Sequence, residues 1–217
     1  VVDDGATDAT REVTARTGVR CVSHGGPRSL NAARNTGIRE GRSPLVAFVD
    51  DDVQAPPGWL DALTRGAERY PEAEAFGGPI RARLEGGAPR SCGREEPPIT
   101  TLDLGTEDCE AEVVWGANLA VRRSAVERIG EFDERIVRPH GDEEEWLERL
   151  RAAGGRIVYL AEAGLDHRRT AADSRLARLA RAAYARGRGA RASDRRRGRA
   201  PGLGEELRVL LGCGWHT

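Results

Sequence analysis

The chain has 217 residues, 39% hydrophobic and 32% charged, with 34 basic and 35 acidic side chains for a net charge of −1. That length suffices for one well-buried α/β domain with some tail left over, and no run of eighteen apolar residues exists to form a membrane-spanning helix. The near-neutral balance hides an asymmetry, because acidic residues crowd the first two thirds while arginines accumulate after His167. Met is absent, which leads us to expect a chain shortened at its N-terminus. Lys is absent too, and the all-Arg usage fits a GC-rich coding sequence without functional meaning. Cys21, Cys92, Cys109 and Cys213 are widely spaced with no CxxC pair, so reduced structural thiols are expected rather than a disulfide framework or a zinc site.

Val1-Val2 reads as the end of a buried strand, stopped by the turn Asp3-Asp4-Gly5. Thr7 or Asp8 is placed to cap a short helix to about Arg16, and a strand over 19–22 follows. The Gly25-Gly26-Pro27 turn leads into a helix over 29–40 with the sequence LNAARNTGIRE near its core. Leu45–Val49 is five apolar residues bounded by Ser43-Pro44 and by Asp50-Asp51-Asp52, which suits a central parallel strand buried on both faces. Alternating strands and helices of this kind predict an α/β fold with a doubly wound, mostly parallel sheet and helices on both faces.

Pro56-Pro57-Gly58-Trp59 opens a helix to Tyr70, with proline tolerated in the first turn. A strand is predicted over 74–84, a Gly/Pro-rich loop over 85–98, a strand near Val113-Val114, and a helix over 124–129. The helix over 142–153 is the best-defined element: Trp146, Leu147 and Leu150 form its apolar stripe, acids fill its first turn, and Arg149 and Arg151 lie near its end. Gly154-Gly155 ends it, and a last strand runs over 156–160. Beyond His167 the chain is Arg-rich and helical, breaks around 198–204, and ends in a short helix over 205–211.

Ligands of open α/β sheets bind beyond the carboxyl ends of strands. Three acidic sets fall near such ends or at a helix N-terminus: Asp3-Asp4, Asp50-Asp51-Asp52 and Asp142 to Glu145. Crowded carboxylates beside a buried strand need a cation or hydrogen-bond donors to stay ionised. A divalent metal that also holds a diphosphate meets that need.

Taken in order, VVDDGATD, LNAARNTGI, LVAFVDDDVQAPPGWL, WGANLAVRRSAVERIGEFDE, GDEEEWLERLRAAGGRI and the later LDH resemble the family 2 inverting glycosyltransferases of GT-A fold. The resemblance covers residues 1 to about 167. It implies a GT-A-like nucleotide-sugar-binding catalytic domain over 1–170, lacking the family's first strand and helix, and an Arg-rich helical extension over 171–217. The implied reaction moves a sugar from a nucleoside-diphosphate donor to a hydroxyl acceptor with inversion.

Roles follow position by position from the resemblance. Asp4 is expected to hydrogen-bond the nucleotide base, Arg34 to lie near the nucleotide or its diphosphate, and Asp50 and Asp52 to be the ends of the DxD motif, with Asp51 between them beside the nucleotide. Asp52 is the expected direct metal ligand, with Asp50 and His167 completing the site. Imidazole makes Mn²⁺ the first choice over Mg²⁺. Trp115 and Asn118 are expected to border donor sugar and acceptor. Glu143 is the expected general base, with Asp142 or Glu144 the alternatives, because the pair reads Asp142-Glu143 where the family has Glu-Asp.

Two other readings stay open at this point: a sugar-nucleotide pyrophosphorylase, and a non-catalytic sugar- or nucleotide-binding module of the same fold. Leu176, Leu179 and Ala183 at helical spacing among the arginines of 175–199 suggest an amphipathic helix. It would pack on the domain or lie on an anionic membrane, as a polyprenyl-linked or other cell-envelope acceptor would make useful. Nucleic acid is not an expected partner, since Tyr184 alone interleaves these arginines. A cytoplasmic protein, at most peripheral to the membrane, is expected.

Overall fold

The computed structural model describes residues 1–6, 9–85, 99–136, 142–196, 198, 200–205 and 207–208. In chain order the elements are β1 (Val2–Asp3), α1 (Thr10–Thr17), β2 (Val22–Ser23), α2 (Leu30–Glu40), β3 (Leu45–Val49), β4 (Val53–Gln54), α3 (Trp59–Arg69) and β5 (Ala73–Gly77). There follow β6 (Ile80–Leu84), β7 (Cys109–Glu110), β8 (Asn118–Arg122), α4 (Arg123–Ile129), α5 (Asp142–Ala152), β9 (Arg156–Tyr159), β10 (Leu165–Arg169) and α6 (Leu176–Arg196). The proposed caps Thr7 and Asp8, all but the first residue of the loop predicted over 85–98, and Cys92 and Cys213 lie outside the described residues, as does most of the helix predicted over 205–211; Cys21 and Cys109 are free thiols.

Three sheets form: β1–β2, β4–β10–β6, and a five-stranded sheet in the order β3–β8–β5–β9–β7. In the last, β3 and β5 are each antiparallel to β8, β5 is parallel to β9, and β7 is antiparallel to β9. The α/β class therefore holds, but the sheet is mixed rather than mostly parallel. An apolar run such as Leu45–Val49 reports that helices cover both faces of a strand, and such covering works for either strand direction. For the same reason β3 is a half-buried edge of its sheet and not a central strand.

The two faces are legible in the strand alternation. Leu119, Val121, Ala75, Ile157 and Tyr159 pack in one core with Ile38 of α2, Val126 of α4, and Trp146, Leu147 and Leu150 of α5. Ala120, Phe76, Val158 and Ala73 pack in a second core with Ala62, Leu63 and Ala67 of α3. Phe132 stacks on Trp146 at 5.1 Å between centroids and meets Phe48 edge-on at 5.7 Å, which fixes the approach to α5. Trp146 is fully buried, and Trp59 is half-buried against a core.

The predicted strand over 74–84 is two strands in two sheets, divided at Gly78-Pro79. A Cβ on Gly78 would overlap the Ala163 backbone carbonyl, so this crossing needs glycine. The expected strand at Val113-Val114 is instead a loop. Val114 is fully buried there, so the apolar pair marks core packing without a ladder. The strand β10, carrying His167, has no counterpart among the predicted elements, because LDHRR has no apolar alternation to betray it.

The described residues divide into two compact units. The first comprises 1–6, 9–81, 101–136 and 142–167, and the second comprises 82–85, 99–100 and the described residues from 168 onward. Within the second, α6 spans 21 residues. Among the described residues no helix is long and apolar enough to cross a membrane.

Gly78→Ala is expected to cost at least about 1–3 kcal/mol, as overpacking does. Gly187→Ala, on a helix with nothing within 4 Å of its added methyl, is expected to leave stability unchanged or raise it by up to ~1 kcal/mol. Urea denaturation followed by circular dichroism compares the two.

Candidate active site

The carboxylates that follow β3 are gathered by a strand pairing. β4 runs antiparallel to β10 with His167 opposite Val53 and Asp166 opposite Gln54, which sets His167 beside the neighbouring Asp52. His167 Nε2 lies 2.7 Å from Asp52 Oδ1. Ligand atoms of Asp50, Asp52 and His167 all lie within 4.8 Å of one another. His167 is buried, Asp52 partly exposed, and Asp51 exposed in the turn outside the cluster. Burial pushes the Asp50 carboxyl above the usual carboxylate range. His167 and Arg34 act against that shift, and the charges of Asp52 and Asp142 add to it. Two carboxylates and an imidazole, converging where negative charge is already crowded, fit a divalent cation.

A second constellation lies where α2 meets α5. The helix α2 starts on Ser29, whose Oγ accepts from the Ala32 N–H at 3.1 Å, and it buries Asn31, Arg34 and Asn35 on one face at i, i+3 and i+4 spacing. Asn35 exchanges hydrogen bonds with the Phe132 backbone, donating to its carbonyl at 2.9 Å and accepting from its N–H at 3.0 Å. Asn31 donates to the Asp133 carbonyl at 2.9 Å. So anchored, α2 delivers the Arg34 guanidinium to Asp142, with Asn31 Oδ1 accepting from it at 3.0 Å, Glu143 Oε2 at 3.9 Å, and the Phe132 ring beneath it at 5.5 Å.

Asp142 and Glu143 occupy the first turn of α5, where the helix dipole favours negative charge. The Gly116 N–H donates to Glu143 Oε1 at 3.1 Å, and a Cβ on Gly116 would overlap the guanidinium of Arg34. Burial, and then the hydrogen bond and charge of Asp142, push Glu143 up to about 8. Burial also acts to raise Asp142, but the hydrogen bond with Glu143 and the charge of Arg34 outweigh it and hold that carboxyl below its usual value. At neutral pH the pair therefore holds one proton, on Glu143, hydrogen-bonded to an ionised Asp142 that Arg34 neutralises. Asp142 and Arg34 both act electrostatically on Asp50, which makes the two constellations one electrostatic site. Glu145 pairs with Arg149 at 2.6 Å, and Glu144 is half-buried.

A third set surrounds Asp4. The parallel pairing of β1 with β2, Asp3 opposite Ser23, carries His24 alongside Asp4. His24 Nδ1 lies 2.7 Å from Asp4 Oδ1, its Nε2 lies 2.8 Å from Thr36 Oγ1 of α2, and the Arg28 N–H donates to the same Asp4 oxygen at 2.9 Å. With the ring neutral, Nδ1–H donates to Asp4 and Nε2 accepts from the Thr36 hydroxyl. Asp3 is different. Its buried carboxylate closes the turn through the Gly5 and Ala6 N–H groups at 3.1 and 2.7 Å, and the Arg11 hydrogen bond, first among these donors, holds it down to about 2.

The structure thus gathers Asp50, Asp52 and His167, and joins to them Arg34, Asp142 and Glu143. Arg34, expected near the nucleotide or its diphosphate, donates to Asp142 and Asn31. Asn118, read as bordering donor and acceptor, is buried and engaged by protein. Its Nδ2 donates to the Pro79 and Ala163 carbonyls at 3.3 and 2.8 Å, and its Oδ1 accepts from Trp59 Nε1 at 3.1 Å. Trp115 is half-buried and donates to the Thr101 carbonyl at 3.1 Å. Sequence reasoning assigns His24 no role and passes over Gly116. The signal for His24 is its place just after the second short strand, as Asp4 stands just after the first, two residues beyond the last apolar position, Val22.

A mixed sheet covered on both faces, with an acidic cluster and a histidine beyond the end of β3 and a carboxyl pair at a nearby helix N-terminus, defines the GT-A class of glycosyltransferase fold. The chain belongs to the family described as Glycosyl transferase family 2, which its residues 1–130 match. It is 31% identical over 179 residues to the pre-mycofactocin glycosyltransferase of Mycobacterium tuberculosis, covering 77% of this chain and 37% of that protein. It is 32% identical over 200 residues to the N-acetylglucosaminyl-diphospho-decaprenol L-rhamnosyltransferase of the same organism, covering 77% of this chain and 65% of that one. The chain therefore spans between about a third and two thirds of these relatives' lengths. Among solved structures, GalNAc-T7 with UDP, GalNAc and Mn²⁺ superposes with a TM-score of 0.59 at 13% identity, covering 77% of this chain and 37% of that one, a likeness of fold.

Glu143 has a consequence for stability. Between its ordinary value of 4.5 and about 8, the folded chain holds a proton that the unfolded chain has released. Stability from this group is therefore full below the lower value and is lost as pH rises through the window. Glu143→Gln keeps a donor toward Asp142 and removes the titration. Its melting temperature relative to wild type is expected to climb from pH 5 to pH 8.5, by about 2–4 °C per kcal/mol of relieved penalty, as differential scanning fluorimetry would register.

Proposed function

We propose that this chain is the catalytic portion of a metal-dependent, inverting glycosyltransferase, and that it moves a sugar from a nucleoside-diphosphate donor to a hydroxyl on a polyprenyl-linked cell-envelope acceptor. The observation that carries the reading is the convergence of Asp50, Asp52 and His167 within 4.8 Å beside a carboxyl whose proton affinity is raised to about 8. The polyprenyl acceptor rests on kinship with a relative whose name specifies a diphospho-decaprenol substrate.

Asp52, Asp50 and His167 hold Mn²⁺, or Mg²⁺ in its place, and Asp4 recognises the base from a carboxylate oriented by His24 and the Arg28 N–H. A divalent cation bound there offsets the charge that develops on the departing diphosphate. Glu143, once ionised, takes the proton of the acceptor hydroxyl as that oxygen bonds to the anomeric carbon. The carbon–oxygen bond to the diphosphate breaks with its electron pair going to the leaving group. A single displacement inverts the anomeric configuration. Asp142 and Arg34 position Glu143 and set its proton affinity, and Gly116 admits the close approach. Trp115 borders the sugar, with Asp51 beside the nucleotide. The Arg-rich stretch over 175–199 makes a peripheral contact with anionic membrane, and no nucleic acid is engaged. Catalysis takes place on the cytoplasmic side of that membrane.

A thermal-shift titration with UDP, GDP, dTDP and CDP, each with Mn²⁺ or with EDTA, tests the donor site. One nucleotide is expected to raise the melting temperature only with metal, since a ligand of the folded state alone must do so. Asp52→Ala is expected to abolish that shift, and His24→Ala to weaken binding about 10-fold or more, in line with hydrogen bonds to charged groups. No shift with any nucleotide would sink the reading.

With a competent donor and acceptor, Glu143→Gln is expected to lower kcat by about 10²–10⁴ while leaving nucleotide binding intact. The rate of the wild type is expected to rise with pH toward about 8, where Glu143 loses its proton. A retained anomeric configuration in the product, read by NMR, would overturn the single displacement.

A further inference from the structure

The arginines of α6 sit on a helix that turns two large apolar side chains, Leu176 and Tyr184, to solvent. Its sequence, LARLARAAYARGRGARASDRR, holds seven arginines against a single aspartate. At 100° per residue, Leu176, Ala180, Ala183 and Tyr184 fall on one side, and all four are exposed, Leu176 at 82% and Tyr184 at 68%. Arg181 and Arg188 flank that side and are exposed as well, with the Arg188 guanidinium 5.8 Å from the Tyr184 ring centre. Leu179, Ala182, Ala185, Arg186 and Gly189, on the other side, are half-buried, and beyond Ala190 the outward side closes, with Arg191 and Asp194 half-buried. A helix that served only to pack on protein would turn Leu176 and Tyr184 inward. Here Leu176 and Tyr184 share the outward side with the exposed Arg181 and Arg188 at its flank, while Arg178 is exposed on the opposite side.

We infer that α6 lies in the plane of an anionic lipid surface, with Leu176 and Tyr184 entering the headgroup–acyl boundary and Arg181 and Arg188 meeting lipid phosphates. This rests on the peripheral membrane contact proposed above and names the side chains and the lipid chemistry that make it. Charge complementarity selects the occupant. Arginines near an anionic leaflet gain about 1 kcal/mol each, roughly 5-fold in partitioning, and an in-plane helix adds the burial of its apolar flank. A tyrosine bearing a guanidinium over its ring suits the interface, where one end of the pair is apolar and the other wet. Nucleic acid would meet the charge but would leave Leu176 without a partner.

The test is co-sedimentation of the chain with phosphatidylcholine vesicles, with and without phosphatidylglycerol, at low and high salt. The expected result is binding that requires the anionic lipid. It should fall about 10-fold or more in Leu176→Ser/Tyr184→Ser, and again in Arg181→Gln/Arg188→Gln. Both pairs alter exposed side chains, so far-UV circular dichroism and the nucleotide thermal shift should remain those of the wild type. Sedimentation at background with either lipid would overturn the membrane contact altogether. Anionic-lipid binding that both variants retain in full would overturn the assignment to α6 and leave the membrane contact standing. A dimer in light scattering that Leu176→Ser/Tyr184→Ser dissociates would show a second copy covering this side, and would likewise overturn the inference. Loss of vesicle binding with an unchanged nucleotide response would support it independently of the transfer chemistry.

Discussion

One buried guanidinium organises this protein. Arg34 comes from α2, yet its partners Asp142 and Glu143 begin α5, 108 residues later in the chain for the Asp142 contact. With its side chain only 5% exposed, it must be neutralised where it sits, because an unpaired buried cation is far costlier than any single apolar contact. Asn31 and Phe132 complete its surroundings, and Gly116 leaves it room. The same charge decides how the carboxyl pair divides its proton: Asp142 is ionised against the arginine and Glu143 retains a proton. A structural ion pair and a tuned acid–base group are here two descriptions of one contact.

The helix that supplies Arg34 also supplies Thr36 to His24, and His24 in turn orients Asp4. One rigid element therefore backs both the carboxyl pair and the aspartate of the first strand. The acidic cluster depends on a different constraint, the pairing of β4 with β10, which joins Asp52 to a histidine 115 residues away. Asp4, Asp50 and Asp52 lie at strand ends and in turns, whereas Glu143 opens a helix, His167 stands in a ladder, and the residues that fix all of them lie on helices and ladders. This division lets the Asp50–Asp52 turn remain half-open while its surroundings are close-packed.

Much of the fold and of the site is legible in the order of the amino acids. The helices around α2, α3 and α5 follow from apolar spacing, the Ser29 cap, the acids opening α5 and the Gly154-Gly155 stop, all of them local signals. The acidic clusters after β1 and β3 and at the start of α5 are legible as chemistry because carboxylates crowded at strand ends demand compensation. What escapes is of another kind. The division of 74–84 between two sheets turns on whether a backbone can pass Ala163, which no periodicity encodes. Val113-Val114 reads as a strand because core packing in a loop uses the same side chains as a ladder. β10 escapes for the converse reason, since a short strand of polar residues is held by its neighbours and not by its own pattern.

The sequence by itself determined which elements form and which groups are available: the aspartates, the carboxyl-rich helix start, the arginines of α6. Only the tertiary structure decided which of them meet. It placed Arg34 on Asp142, closed the Asn118 amide on three protein partners, drew His24 to Asp4, and turned Leu176 and Tyr184 outward. The physical reason is range. Helix caps and apolar periodicity act over one or two turns, whereas proton affinity, ion pairing and exposure are set by neighbours a hundred residues away, through ladder registers and helix contacts that fold only as a whole.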